Sequence, residues 1–135
     1  QWGQSCVTRL NGMWAFVIHD RRNNCLFGSR DRFGIKPLYR FQSPSCVLFA
    51  SEIKAIRVSG VYQSSVNWSV ASAFLLRGEL DETTQSFYAG IEQVGPGCAF
   101  ELTLDGRYRE WQYWSLKQIE ASAPREPARV TGGWR

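Results

Sequence analysis

The sequence predicts an α+β fold dominated by short antiparallel strands. Apolar runs, too short for typical helices, recur between polar turns along the chain, as buried strands do. The dipeptide Asp105-Gly106 between two such runs is a strong hairpin signal. Hydrophobic residues make up 44% of the 135 residues and aromatic ones 14%. This is enough apolar material for a packed core and excludes disorder over most of the chain.

The first elements are predicted to be a helix end and a hairpin. Trp2, Cys6 and Leu10 recur at a spacing that predicts one apolar helix face over residues 1–10, ended by the glycine of Asn11-Gly12. The apolar run 13–18 predicts a strand buried on both faces. It is expected to pair with the run 25–29 across a polar turn.

Two further strands and two helices are predicted in the middle of the chain. The strands cover residues 38–41 and 47–50, with polar residues and a proline between them. A short helix at 53–57 is expected to be capped by Ser51. A longer helix at 68–77 is expected to begin after Asn67 and to end at Gly78.

The last strands are predicted at 98–104 and 108–114, on either side of the Asp105-Gly106 turn. Beyond them the composition shifts to Ala, Pro, Arg and Gly without an apolar period. The sequence therefore predicts one folded unit over residues 1–116 and a linker or disordered tail over 117–135.

Charge and cysteine content narrow the partners that we expect. The net charge of +4 is spread among alternating basic and acidic residues, which argues against nucleic-acid binding. No apolar run approaches the roughly 18 residues that a membrane span needs, so no membrane partner is expected. The four cysteines are widely spaced and the chain has one histidine, His19. We therefore predict reduced thiols in a cytoplasmic protein, and no metal site.

Several sequence blocks then stand together in a specific order and spacing. The longest are RLNGMWAF at 9–16, RDRFGIKPLY at 30–39 and FASEIKA at 49–55. Shorter ones are WG at 2–3, DRR at 20–22, LRG at 76–78, FYAGI at 87–91, GPG at 95–97 and YW at 113–114. Over residues 1–116 this set closely resembles glutamine-hydrolysing asparagine synthetases, specifically the C-terminal half of their class II glutamine amidotransferase domain. The resemblance implies an N-terminal-nucleophile hydrolase sandwich of antiparallel β-sheets flanked by helices.

The resemblance also implies a parent enzyme with two catalytic centres. A glutaminase domain releases ammonia from glutamine, and a synthetase domain uses ATP and Mg²⁺ to activate aspartate for amidation. The family nucleophile is an N-terminal cysteine, whereas this chain begins at Gln1 and its first thiol, Cys6, lies in the predicted helix. We therefore expect no catalytic, cofactor-binding or metal-binding residue in this segment, and no activity from it alone. The expected partners are the rest of its own domain, the synthetase domain, and a second copy in a homodimer of the parent.

The block 30–39 holds the candidate site residues. Asp31 can accept hydrogen bonds from turn amides, and Gly34 allows a backbone angle that other residues resist. Arg30, Arg32 and Lys36 are then available for ion pairs or for contact with another domain. Two interpretations stay open, a purely structural turn and a role in domain contact or ammonia transfer.

Met13 and Ile35 are matched by the resemblance to positions near the glutaminase end of an ammonia channel. An apolar lining would exclude water and keep ammonia unprotonated. The alternative for both side chains is plain core packing. His19 is expected to have a surface or capping role.

Two alternatives to an asparagine synthetase fragment remain. One is a related amidotransferase that modifies another carboxylate, in polysaccharide or secondary-metabolite biosynthesis. The other is a non-catalytic interaction module that pairs with another chain.

Overall fold

The computed structural model of the chain describes residues 1–79 and 83–117. It begins with a short 3-10 helix, Gly3–Thr8. The strands are β1 (Ala15–Asp20), β2 (Cys25–Arg30), β3 (Tyr39–Gln42), β4 (Val47–Ala50), β5 (Ile91–Gln93), β6 (Cys98–Thr103) and β7 (Tyr108–Gln112). The helices are α1 (Ile53–Arg57) and α2 (Trp68–Arg77).

All strand pairs are antiparallel, and the strands form two sheets. The larger sheet has the order β1-β2-β6-β7, and the smaller one has the order β4-β3-β5. The β1–β2 hairpin aligns Ala15 with Arg30 and Asp20 with Cys25. The predicted α+β class with antiparallel sheets and few helices is therefore confirmed.

The two sheets pack face to face. Leu38, Val94 and Phe100 form the core between them, and the ring of Phe49 stacks on Phe100 at 4.6 Å between centroids. Gly28 of β2 allows this packing, because a Cβ built there would lie 2.3 Å from Cζ of Phe100.

Each sheet also has an outer cluster. Phe27 and Ala99 on the larger sheet pack with Val7 of the 3-10 helix. On the smaller sheet, Ile91 packs with Ile56 of α1 and with Tyr62. Helical segments thus lie outside both sheets of the sandwich.

The prediction of an α-helical face over residues 1–10 is wrong. The Arg9 amide donates to the Cys6 carbonyl at 3.0 Å, the i to i+3 bond of a 3-10 helix. With three residues per turn, Trp2, Cys6 and Leu10 do not share a face, and Val7 is the residue that points inward.

The prediction that the run 13–18 is buried on both faces is also wrong. The strand begins at Ala15, so Met13 lies outside it. Among the described residues, β1 pairs with β2 alone, and as an edge strand it leaves Ile18 52% exposed.

The two helices differ in how well their ends were predicted. In α2, the Asn67 side chain accepts from the Val70 amide, and Gly78 adopts a φ of +69° at the end, which confirms both boundaries. In α1, the cap position belongs to Glu52, not Ser51, and no side chain caps the helix. The Glu52 carboxylate is instead 2.6 Å from Nζ of Lys54.

Two other predictions need comment. Strand β5 was not predicted, while β6 and β7 end earlier than expected, at Thr103 and Gln112. The predicted tail lies outside the described residues, apart from Lys117. In the ranges 1–79 and 83–117, none of the helices has the length and apolar character needed to cross a membrane.

Candidate functional site

The carboxylate of Asp31 organises the Arg30–Lys36 loop, which begins at the last residue of β2. The side chain is 1% exposed. Its Oδ1 accepts from the amides of Phe33 at 3.1 Å and Ile35 at 3.0 Å, and its Oδ2 accepts from the amide of Lys36 at 2.9 Å. Burial alone would raise the pKa of Asp31, but the backbone amides that face the carboxylate outweigh it and lower the pKa below its ordinary value. The loop is therefore wrapped around a buried charge.

The side chain of Arg30 closes the same loop from the other side. Its Nε donates to the Lys36 carbonyl at 2.8 Å, and its Nη2 donates to the Gly34 carbonyl at 2.7 Å. Its Nη1 donates to Oε1 of Gln93 and to the Val94 carbonyl, both at 2.8 Å. Arg30 thus ties the loop to the end of β5.

Gly34 sits where the loop turns over the Arg30 side chain. Its φ is +64°, and a Cβ there would lie 3.1 Å from Cζ of Arg30. An L-residue would be strained at this backbone angle and crowded against the guanidinium. The glycine therefore serves both the turn and the close approach of the arginine.

The other site residues predicted from the sequence lie at the surface of the loop and beside it. Met13 is 60% exposed and Ile35 is 56% exposed, so neither belongs to the described core. Lys36 is exposed, while Arg32 is half-buried and donates from Nη2 to the Thr8 carbonyl at 3.4 Å. The structure therefore brings Arg30, Asp31 and Gly34 together inside one loop. The apolar side chains of Met13 and Ile35 lie at the surface.

Sequence reasoning missed the residues that contact this loop from afar. The Tyr113 hydroxyl donates to the Arg30 carbonyl at 2.9 Å, and the Gly97 amide donates to the Asp31 carbonyl at 2.8 Å. The blocks GPG at 95–97 and YW at 113–114 are motifs of the sequence, but nothing local indicates that they meet residues 30–34.

Cys25 and Cys98 lie in surroundings that do not activate a thiol. All four are free. Burial, followed by the nearby carboxylate of Glu101, raises the pKa of Cys25. Burial, followed by Glu110, raises the pKa of Cys98 to about 12. A nucleophile needs the thiolate form, and these two environments oppose it.

His19 and the carboxylates are the other side chains that a reactive or metal-binding centre could use. His19 is exposed on β1. In the part of the chain that the structure describes, no group of three or more His, Cys, Asp or Glu could hold a metal ion. We therefore take the Arg30–Lys36 loop as the candidate functional site of this segment.

Comparison with known proteins gives one family. A model of the glutamine amidotransferase domain matches residues 1–114. Glutamine-hydrolyzing asparagine synthetase 3 of Bacillus subtilis (strain 168) is 33% identical over 117 residues, which is 87% of this chain and 19% of the relative. A putative glutamine-hydrolyzing asparagine synthetase 2 of Methanocaldococcus jannaschii is 46% identical over 117 residues, 84% of this chain and 22% of the relative. Amidase chry2 of Gibberella zeae is 32% identical over 136 residues, 99% of this chain and 20% of the relative.

The chain thus spans about a fifth of the length of these curated relatives. The family model, by contrast, matches most of the chain, ending three residues before the last described residue. The chain belongs to the glutamine amidotransferase domain family.

Proposed function

We propose that this chain is part of the glutaminase domain of a glutamine-dependent asparagine synthetase and supplies its frame and domain contacts, not its catalytic groups. The observation that carries the proposal is the family match over residues 1–114, together with relatives named as glutamine-hydrolyzing asparagine synthetases. The two-sheet sandwich with outer helical segments supports an N-terminal-nucleophile hydrolase fold for the complete domain. In such a domain the nucleophilic cysteine would come from outside this segment.

The chemistry of the thiols present supports this division of labour. An N-terminal nucleophile needs its thiol and a free amine within hydrogen-bond reach. Cys25 and Cys98 have raised pKa values, and Cys46 lies 3.4 Å from the Ser43 hydroxyl. Cys6 packs against the outer cluster of the larger sheet. Each of the four thiols is therefore better explained as packing or local structure.

The loop explains how this segment would contribute to ammonia transfer. Asp31 and Arg30 fix its backbone, and this presents the apolar side chains of Ile35 and Phe33 outward. Met13 lies on the segment that enters β1, and the Trp14 carbonyl beside it accepts from the Asp31 amide at 2.9 Å. Met13 and Ile35 would line the glutaminase end of an apolar ammonia path. Arg32 and Lys36 would contact the synthetase domain.

The partners of the segment follow from the same proposal. The remainder of the glutaminase domain would pack against this half, where β1 is an edge strand of the larger sheet among the described residues. ATP and Mg²⁺ would bind to the synthetase domain, outside this segment. The parent enzyme would be cytoplasmic, in keeping with the free cysteines of this segment. A homodimer of the parent is part of the same proposal.

A second candidate differs only in the acceptor. Two relatives, at 32% and 30% identity, are named amidases and come from the fungi Gibberella zeae and Penicillium rubens. The domain of this segment thus also occurs in proteins that are not named asparagine synthetases, and the second candidate is a related amidotransferase that amidates a carboxylate other than aspartate. Acceptor choice would reside in the downstream domain.

The test uses the complete protein encoded around this segment. With glutamine, ATP, Mg²⁺ and aspartate, we expect glutamate and asparagine in equal amounts. Glutamate and AMP formation only with another carboxylate would favour the second candidate. Failure of every carboxylate to be amidated would contradict the proposal.

A substitution then tests the ammonia path. Met13→Glu should leave glutamine hydrolysis running but lower asparagine formation, because an ionised carboxylate would retain water in the path and favour ammonium over unprotonated ammonia. Added ammonium should restore asparagine formation to the unsubstituted level. Val58→Glu is the matched control, since Val58 is an apolar residue that is 83% exposed at the end of α1. An unchanged ratio of glutamate to asparagine in Met13→Glu would refute the assignment of Met13 to the ammonia path.

A further inference from the structure

The end of the described chain turns back onto the Arg30–Lys36 loop. After β7, the amides of Tyr113 and Trp114 both donate to the carbonyl of Gly97, at 2.8 and 3.3 Å. The amide of Gly97 donates in turn to the carbonyl of Asp31 at 2.8 Å. Gly97 is thus a backbone link between the exit segment, residues 113–114, and the loop.

The junction is too close for any side chain at position 97. Gly97 has a φ of +64°, and a Cβ built there would lie 2.4 Å from the carbonyl oxygen of Trp114. Real Cβ atoms do not approach a backbone oxygen so closely, so a substitution would have to push the exit segment away from the loop.

Side chains add two more contacts between the exit segment and the loop, and one between the exit segment and Trp14. The Tyr113 hydroxyl donates to the Arg30 carbonyl at 2.9 Å, and its ring stacks on Trp14 at 6.3 Å between centroids. The Trp114 ring meets Phe33 edge-on at 5.1 Å. The exit segment therefore touches the loop at its start, through Arg30 and Asp31, and near its exposed tip, through Phe33.

We propose that the exit segment is a brace that positions the Arg30–Lys36 loop, with Gly97 and Trp114 as positioning residues. The loop's own bonds to Asp31 define its shape, and Arg30 ties it to the end of β5. The brace adds a second attachment, on the side of the loop that carries Phe33.

Amide hydrogen exchange of the 135-residue chain tests the brace without any enzymatic activity, so its result is independent of the proposed function. The loop amides that donate to Asp31, those of Phe33, Ile35 and Lys36, are compared with amides of β2 and β6. Gly97→Ala is compared with Gly106→Ala, which also imposes a positive φ, +85°, but has open space around its Cβ. The two variants share the backbone strain and differ in the clash.

We expect the strand amides to respond alike in both variants. The loop amides should exchange about tenfold faster in Gly97→Ala than in Gly106→Ala, the change expected when hydrogen bonds of ordinary strength are lost. Equal loop exchange in the two variants would overturn the proposal.

A ring substitution gives a second test, which does not depend on the folding of Gly97→Ala. Trp114→Ala keeps the backbone link but removes the contact with Phe33, so loop exchange should accelerate several-fold while strand exchange stays unchanged. Trp114→Phe should restore slow loop exchange, because a phenyl ring can still meet Phe33 edge-on. Unchanged loop exchange in Trp114→Ala, or acceleration equal to that of the strands, would show that the ring has no positioning role.

Discussion

The buried carboxylate of Asp31 offers the sharpest stability prediction. Asp31→Asn keeps the size of the side chain but replaces one carboxylate oxygen with an amide NH₂. Three backbone amides lie 2.9 to 3.1 Å from the carboxylate oxygens. In whichever way the Asn amide is oriented, at least one backbone N–H then faces another donor. The remaining hydrogen bonds become weaker, because their acceptor oxygen no longer carries a negative charge.

The magnitude follows from those contacts. A hydrogen bond to a charged group contributes about 1.5–3 kcal/mol, and an unsatisfied buried donor costs about 1–3 kcal/mol. Because the loop side chains of Phe33 and Ile35 are exposed, water can relieve part of this cost. We therefore expect a loss of about 2–4 kcal/mol in the free energy of unfolding, a large share of the 5–15 kcal/mol typical of a domain.

The assay is urea unfolding followed by tryptophan fluorescence, at several pH values. Asp31 has a lowered pKa in the folded state, so its contribution is fully present above its unfolded pKa, about 4. The contribution is lost as the pH falls through the folded pKa. The difference in the free energy of unfolding between the unsubstituted chain and Asp31→Asn should accordingly be largest near neutral pH and should decrease on acidification.

Asp20→Asn is the matched control. Asp20 also accepts backbone amides, from Arg22 at 2.9 Å and Asn23 at 3.2 Å, but in an exposed turn where water can replace the lost bonds. Its effect should be much smaller than that of Asp31→Asn. A similar effect for both substitutions, or a gap for Asp31→Asn that does not change with pH, would refute the reasoning.

Three further predictions concern packing, a single hydrogen bond and thiol reactivity. Gly28→Ala should lower the free energy of unfolding by about 1–3 kcal/mol through overpacking, since its Cβ would meet the Phe100 ring at 2.3 Å; a neutral effect in urea unfolding would mean that the two sheets can separate at little cost. Tyr113→Phe should cost about 0.5–1.5 kcal/mol through the lost bond to the Arg30 carbonyl, and a loss outside that range would show that the hydroxyl is not acting as one ordinary hydrogen bond. Iodoacetamide at pH 8 should modify Cys25 and Cys98 more slowly than a thiol in the unfolded chain, because their pKa values are raised. Mass spectrometry of the digested protein measures the labelling, and rapid labelling of either residue in the native state would contradict the raised pKa values.

Local signals were sufficient for much of the fold. The β1–β2 and β6–β7 hairpins, the strands β3 and β4 and the boundaries of α2 follow from apolar runs, turn residues and caps, which act over a few positions. Local signals failed where geometry is set at a distance. Strand β5 has three residues and pairs with β3 some fifty positions earlier, so its own sequence carries little strand pattern.

The candidate site divides in the same way. The turn chemistry of Asp31 and Gly34 is readable in the block 30–39, because the hydrogen bonds of the Asp31 side chain lie within five residues. The burial of Arg30 is not, since two of its acceptors are on Gln93 and Val94. The brace at Gly97 is equally hidden, because it exists only when residues 31, 97 and 114 meet in the folded sandwich.

The central claim is that this segment frames a glutaminase domain without supplying its nucleophile. The direct measurement is glutamate release from glutamine by the purified 135-residue chain, with and without prior alkylation of its thiols. We predict no glutamate above the level of buffer alone in either sample. Turnover of glutamine that disappears on alkylation would contradict the claim, because it would mean that one of these four cysteines acts as the nucleophile.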